Sequence, residues 1–251
     1  MSTTLTTEQV DLRAAVTDLM STRSPQTEVR RLMAEDTGYD PAVWAELAGM
    51  GLLGLTIPER FGGSGAGAAE LAVVAEQMGR ALLCAPYLST AVLTPYLLLA
   101  SGDTDECADV LPRIAAGELV TAVAFAEPGT ARPPQHPDTT ATQTGDGWQV
   151  SGEKAYVLDA AIADRIYVHA ESDSGTGIFA VEHRAARMDV SALSTVDHTR
   201  RQARVTLDGT PARLIGAVDA GRTALDTALD HAAVALIAEQ AGGAMHCMQM
   251  A

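Results

Sequence analysis

The chain has 251 residues, 47% hydrophobic and only 4% aromatic, so its core is built from Ala, Val and Leu, and its length suits one large domain or two to three small ones. Against 17 Lys and Arg stand 32 Asp and Glu, a formal net charge of −15. That charge argues against nucleic acid or an anionic membrane as a partner and requires any anionic small ligand to find a local basic or helix-N-terminal site.

The opening "MSTTLTTEQVDLRAAV" carries acids early and no continuous apolar core, so it does not read as a signal peptide. No apolar run approaches the ~20 residues of a membrane span. Cys84, Cys107 and Cys247 are scattered, with no C-x-x-C among them, which suggests neither a disulfide framework nor a zinc site. A cytoplasmic protein in a reducing compartment is expected.

Residues 1–118 read as helices. Thr6 and Gln9 form a capping box before Leu12, Val16, Leu19 and Met20, which share one helical face. Val43, Trp44, Leu47 and Met50 repeat that spacing, and Gly51 is placed to stop the helix. Leu71, Val74, Met78 and Leu82 form another stripe. The stretch 86–100 is apolar nearly all round and predicts a buried central helix, with Thr94 capping a fresh start at Pro95. Asp103 is placed to cap the next helix.

Before the third stripe, Gly63-Ser-Gly65-Ala-Gly67-Ala makes a G-x-G-x-x-A pattern. A dinucleotide fingerprint needs a strand running into the first glycine and a carboxylate about twenty residues later. Here Pro58 interrupts the approach, and "LLCAPYLS" (82–89) holds no carboxylate. A hydrolase elbow at Gly62-x-Ser64-x-Ala66 lacks its strand as well. The stretch reads as a loop before a helix.

Near Glu118 the apolar period changes from 3.6 to 2. "LVTAVAFA" (119–126) is strand-like, and Gly145-Asp146-Gly147 marks a hairpin. Short apolar runs at 165–170, 177–182 and 203–208 suit a small antiparallel barrel or sandwich. From 220 to 251 an Ala-rich stripe predicts one long helix. The expectation is an α+β protein: a helical domain over 1–118, a β domain over 119–212, and over 213–251 the first helix of a truncated helical bundle.

"GMGLLGLTIPERFGGSGAG", "AEQMGRAL", "LPRIAAGELVTAVAFAEPG", "GWQVSGEKAYVLDAAIADRIYV" and "AEQAGGAMHCMQMA", in that order, resemble the acyl-CoA dehydrogenase family. The resemblance runs from about Trp44 to the end. It implies an FAD-dependent α,β-dehydrogenation of an acyl-CoA thioester, in which a carboxylate takes the α-proton and the β-hydride passes to the flavin. The glycine loop then corresponds to a structural connection.

Residue by residue, the family's T-E-P-x-x-G-S-D strand is matched by Glu127, Pro128 and Gly129, while Ala126 stands where a threonine would meet the flavin edge. Thr130 offers one hydroxyl. Arg132 either meets a phosphate or is a solvated loop cation. Tyr156 is positioned to stack on a ring or to fill the barrel end, and Leu158 stands where a hydroxyl donor is common. The amides of Val157 and Leu158 remain available to the ring edge. The resemblance therefore places the FAD border at Phe125, Ala126, Glu127, Thr130, Tyr156, Val157 and Leu158, with Arg132 toward the substrate.

No catalytic base is recognised. The family's alternative base position falls near Ala233, and Asp226, Asp230 and Glu239 read as face charges. Arg200, Arg201 and Arg204 read as ion-pairing residues rather than CoA-phosphate ligands. The competing expectation is a non-catalytic subunit, in a homo-oligomer or with a heteromeric partner, that completes an FAD or acyl-CoA site on another chain.

Overall fold

The structure is a computed structural model that describes residues 4–130, 132–145 and 147–251. Six helices come first: α1 (Thr7–Arg23), α2 (Gln26–Met33), α3 (Pro41–Gly49), α4 (Ala68–Ala81), α5 (Thr94–Ser101) and α6 (Thr104–Ala115). Seven strands follow: β1 (Thr121–Ala124), β2 (Thr140–Thr144), β3 (Gly147–Leu158), β4 (Arg165–Ser172), β5 (Gly175–Glu182), β6 (Met188–Ala192) and β7 (Gln202–Ile215). The long helix α7 runs from Gly221 to Met250.

The helix starts follow local chemistry. The Thr6 hydroxyl accepts the Gln9 amide at 3.2 Å while the Gln9 side chain accepts the Thr6 amide at 3.0 Å. Asp40 accepts from the Ala42 amide at 2.8 Å and Asp103 from the Glu106 amide at 2.9 Å. Gly51 adopts φ 73 just after α3, and its amide donates to Ala48 at 2.8 Å.

Two elements differ from expectation. Leu82, expected on the buried stripe of α4, is its left-handed C-cap and 56% exposed. Thr94 is not a fresh N-cap. Its backbone is helical (φ −64, ψ −48) and continues a buried π-helical turn, Leu88–Leu93. The wider turn carries the chain into Pro95 without a break, and the Thr94 hydroxyl donates to the Ser89 carbonyl at 3.0 Å.

The sheet order is β1-β4-β2-β3-β7-β5, and β4 also pairs with β5, so the sheet closes into a barrel with β6 attached to β7. Most ladders are antiparallel, but β1 and β2 both pair with β4 in parallel. The intervening β2–β3 hairpin is the crossover that makes this possible; Asp146, at its tip, lies outside the described residues. β7 continues to Ile215, slightly past the expected end of the β region at 212.

One core unites the helices with the sheet face carrying Tyr167, Ile178 and Ile215, and a second fills the barrel around Val150, Val168, Phe179 and Val205. α7 belongs to the first core through Ala224, Leu225, Ala228, Ala232 and Ala235. Its other face leaves Val234, Ile237, Met245 and Met248 exposed. Among the described residues no helix is long and apolar enough to cross a membrane.

Candidate functional site

Two strand exits meet at one corner. β1 ends at Ala124 and the chain continues through Phe125 and Ala126, where the Ala126 carbonyl accepts the Ala155 amide at 2.9 Å. In the β3–β7 ladder Lys154 pairs with Val205 and Val157 with Ala203, so Ala155 and Tyr156 together oppose Arg204 alone. This is a β-bulge, and Tyr156 at φ 55 is its left-handed residue. The bulge turns the Tyr156 ring outward, 48% exposed, before Val157 returns to the interior. Phe125 and Leu158 are half-buried beside it and pack on the helical core. The structure thus brings together Phe125, Ala126, Tyr156, Val157 and Leu158.

Glu127 sits at the same corner, but its carboxylate turns inward. It accepts the Lys154 ammonium at 2.8 Å and the amides of Asp138 and Thr139 at 2.9 Å each. Burial alone would raise this carboxyl, but the Lys154 hydrogen bond and the two amides outweigh it and hold the group at about 2. Burial in turn lowers the Lys154 ammonium, against the opposing pull of Glu127. The Glu127 side chain organises the corner from within.

Thr130 and Arg132 lie on the loop that Glu127 closes. The Thr130 hydroxyl accepts the Arg132 amide at 3.2 Å and donates to the Arg132 carbonyl at 3.1 Å, a local turn. The Arg132 side chain is exposed. Arg222 of α7 reaches the same loop, donating to the carbonyls of Pro133 and Pro134 at 3.4 and 3.3 Å.

Arg200, Arg201 and Arg204 have structural partners. Arg200 pairs with Glu239, and Arg204 with Glu153 at 3.0 Å. Arg201 caps the end of α2 by donating to the carbonyls of Leu32 (3.3 Å), Met33 (3.0 Å) and Glu35. On α7, Asp226 pairs with Arg222 at 2.9 Å, while Ala233 and Asp230 are exposed.

The glycine loop has no free cradle. The amides of Ser64, Gly65 and Ala66 donate to the carbonyls of Gly54, Ile57 and Leu55 at 2.8–2.9 Å. A Cβ at Gly63 would stand 2.0 Å from the Ile57 carbonyl oxygen. Glycine is needed there for self-packing, not for phosphate.

Sequence reading missed two groups beside the corner. Asp159 follows Leu158, is 8% exposed, and has its carboxyl raised to about 6 by burial, against the lowering effects of Ser89 and Arg200. His169 on β4 is fully buried, and neither ring nitrogen has a hydrogen-bond partner among the described residues. Burial and the nearby Lys154 and Arg222 lower it to about 4. An acid after a strand reads as a loop charge, and one histidine in an apolar run reads as filler. Only the tertiary neighbours distinguish them.

The family description "Acyl-CoA dehydrogenase, N-terminal domain" matches residues 6–118. The acyl-CoA dehydrogenase IpdE2 of Mycobacterium tuberculosis is 32% identical over 244 residues, 97% of this chain and 62% of that protein. A solved variant of the Tcur3481-Tcur3483 steroid ACAD is 32% identical with a TM-score of 0.86, covering 97% of this chain and 65% of that one. The ChsE4-ChsE5 complex from Mycobacterium tuberculosis contains a chain 26% identical, TM-score 0.85, covering 100% of this chain and 67% of that one. The chain therefore spans somewhat under two thirds of the length of the first two relatives.

Proposed function

Since the chain belongs to the acyl-CoA dehydrogenase family, we propose that the corner at Ala126 and Ala155 is one wall of an FAD site used in α,β-dehydrogenation of an acyl-CoA thioester. The observation that carries this reading is the Tyr156 bulge: an aromatic ring turned out of the barrel, on a residue withdrawn from the β7 ladder. An exposed ring beside the half-buried Phe125 and Leu158 fits a planar ligand. FAD, when bound, supplies the two-electron acceptor. Tyr156 would stack on the ring, the Leu158 amide would donate to its edge with Val157 seated beside it, Glu127 and Lys154 would hold the corner, and Thr130 and Arg132 would lie toward phosphate or the acyl-CoA.

The α-proton needs a base within about 3 Å. Glu239 is engaged by Arg200, Asp226 by Arg222, and position 233 offers a methyl group. We therefore assign the base to residues beyond these, on this protein or on a partner. The exposed apolar face of α7 favours a second reading, a subunit that completes the site with another dehydrogenase-like chain. That the similar ChsE4-ChsE5 protein is a complex of two named chains agrees with it.

The test is anaerobic mixing of FAD-loaded chain with several acyl-CoA thioesters while flavin absorbance is followed. The expected result is FAD binding, weak in the isolated chain, and no bleaching until a partner is added. Bleaching of the isolated chain would overturn the assignment of the base, and absence of FAD binding with and without a partner would overturn the site.

A further inference from the structure

Asp159 closes β3 with a left-handed backbone (φ 56), and its carboxyl enters the seam between barrel and helices. The Ser89 hydroxyl, on the π-helical turn, lies 2.5 Å from Asp159 Oδ2 and 3.1 Å from the Pro86 carbonyl, which also accepts the Thr90 amide at 3.1 Å. A hydroxyl carries one proton, a carbonyl only accepts, and an ionised carboxylate only accepts. With Asp159 ionised, the Ser89 proton serves one contact and the other sets lone pair against lone pair. With Asp159 protonated, the acid donates to Ser89 and Ser89 donates to Pro86, so both contacts are hydrogen bonds. The short O–O distance is that of an acid donating to a hydroxyl or of a charge-assisted bond, and the second contact selects the first.

The surroundings agree. Beside Asp159 is a cavity of about 30 Å³, room for a single water by volume. Its lining brings three titratable side chains toward the acid: Tyr87 from the turn before Ser89, Arg200 from the segment before β7, and Glu239 from α7; α4 contributes only Ala75 and Met78. Arg200 is already paired with Glu239, and the Tyr87 hydroxyl donates to the Leu52 carbonyl at 3.0 Å. No unpaired cation among the described lining residues favours the anion.

We propose that Asp159 is a positioning residue: as a neutral carboxylic acid donating to Ser89 it fastens the Tyr156–Leu158 end of β3 to the helical layer, and on ionising it loosens that hold. Its consequence for cofactor binding rests on the FAD reading above; the latch itself does not. Burial places its titration at about 6, so the latch works between mildly acidic and neutral pH.

Three variants test it. Asp159→Asn keeps the shape and donates to Ser89 at every pH, Asp159→Leu removes the contact, and Ser89→Ala removes the acceptor. The infrared carbonyl band of a protonated carboxylic acid is expected in the wild type at pH about 5, lost as pH rises through about 6, and missing from Asp159→Asn. FAD affinity, followed by fluorescence, is expected to fall several-fold over the same range in the wild type and in no range in Asp159→Asn. Asp159→Leu and Ser89→Ala are expected to bind weakly throughout. Absence of the band, or a wild-type pH profile in Asp159→Asn, overturns the proposal. If no variant binds FAD, the FAD reading fails. The latch is then judged by the infrared band and by thermal unfolding in a His169→Leu background, where the protein must lose stability as pH rises through about 6 and the same background carrying Asp159→Asn must not. If Asp159→Leu does not fold, the Asp159→Asn comparison decides.

Discussion

Lys154 Nζ lies 2.8 Å from Glu127 Oε1, and neither side chain is more than 6% exposed. The two residues sit next to Ala155 and Ala126, whose backbone hydrogen bond joins β3 to the exit of β1. The ion pair therefore reinforces that joint from inside. Because Glu127 also accepts the amides of Asp138 and Thr139, the same carboxylate closes the loop 128–137 that carries Thr130 and Arg132. One buried acid thus sets both the ring-bearing corner and its flanking loop.

Breaking that pair on one side leaves an uncompensated buried charge. Lys154→Met and Glu127→Leu are each expected to lower stability by about 3–5 kcal/mol, and the double variant Glu127→Leu/Lys154→Met by less than the sum. Urea unfolding followed by circular dichroism measures this. Additive losses would show that the two side chains act independently. The Glu127 carboxyl, held near 2, contributes stability that is present above the ordinary carboxylate range and is lost as pH falls toward 2.

His169 gives a pH dependence opposite in sign to that of Asp159. Its folded-state value of about 4 lies below the ordinary 6.5, so folding favours the neutral ring. Stability is full above pH about 6.5 and is lost as pH falls toward 4. The Asp159 contribution is present below the ordinary carboxylate value and is lost as pH rises through about 6. The two slopes oppose each other between about 4 and 6. His169→Leu is expected to remove the loss between pH 6.5 and about 4 and to expose the Asp159 slope over that range, as measured by melting temperature across pH. A variant with the wild-type profile would exclude His169 as the group responsible.

Tyr156 tests the cofactor reading without disturbing the fold, because its ring is about half exposed. Tyr156→Ala is expected to weaken FAD binding about tenfold, the scale of a stacking contact, while leaving the unfolding midpoint nearly unchanged. Equal FAD affinity in Tyr156→Ala and wild type would remove the ring from the site. A large loss of stability would assign it to packing instead.

The parts legible in the sequence are those whose cause is local. The Thr6–Gln9 box, the Asp103 cap and the Gly51 stop each depend on residues within a turn of one another. The barrel was legible as strands but not in its pairing: a period of 2 identifies β1 and β4 without giving their relative direction, which is parallel. The corner residues Ala126 and Tyr156 were reached through family resemblance, and the Glu127–Lys154 pair was not legible because the two residues are 27 apart. Asp159 was invisible for the same reason, since Ser89 lies 70 residues earlier.

The long helix makes the last prediction, through two glycines whose place in the family-like motifs "AEQMGRAL" and "AEQAGG" gives no physical reason by itself. α4 and α7 cross so closely that a Cβ at Gly79 would stand 2.0 Å from the Glu239 carbonyl oxygen, and one at Gly242 would stand 1.9 Å from that of Glu76. Both obstacles are backbone, which cannot rotate away. Gly79→Ala and Gly242→Ala must push the helices apart, and each is expected to lower stability by about 1–3 kcal/mol or more. Gly243 is the control: its Cβ would meet only the Gly79 carbonyl, at 3.6 Å, an ordinary contact. Gly243→Ala should therefore stabilise the helix by about 0.5–1 kcal/mol. Separation of α4 from α7 would also widen the seam lined by Met78, Asp159 and Glu239, so Gly242→Ala should lower the Asp159 titration toward the ordinary carboxylate value as water enters. Chemical unfolding of the three variants, with the acid carbonyl band followed in Gly242→Ala, measures both effects. A Gly242→Ala protein as stable as the wild type would show that the helices cross at a greater distance than described.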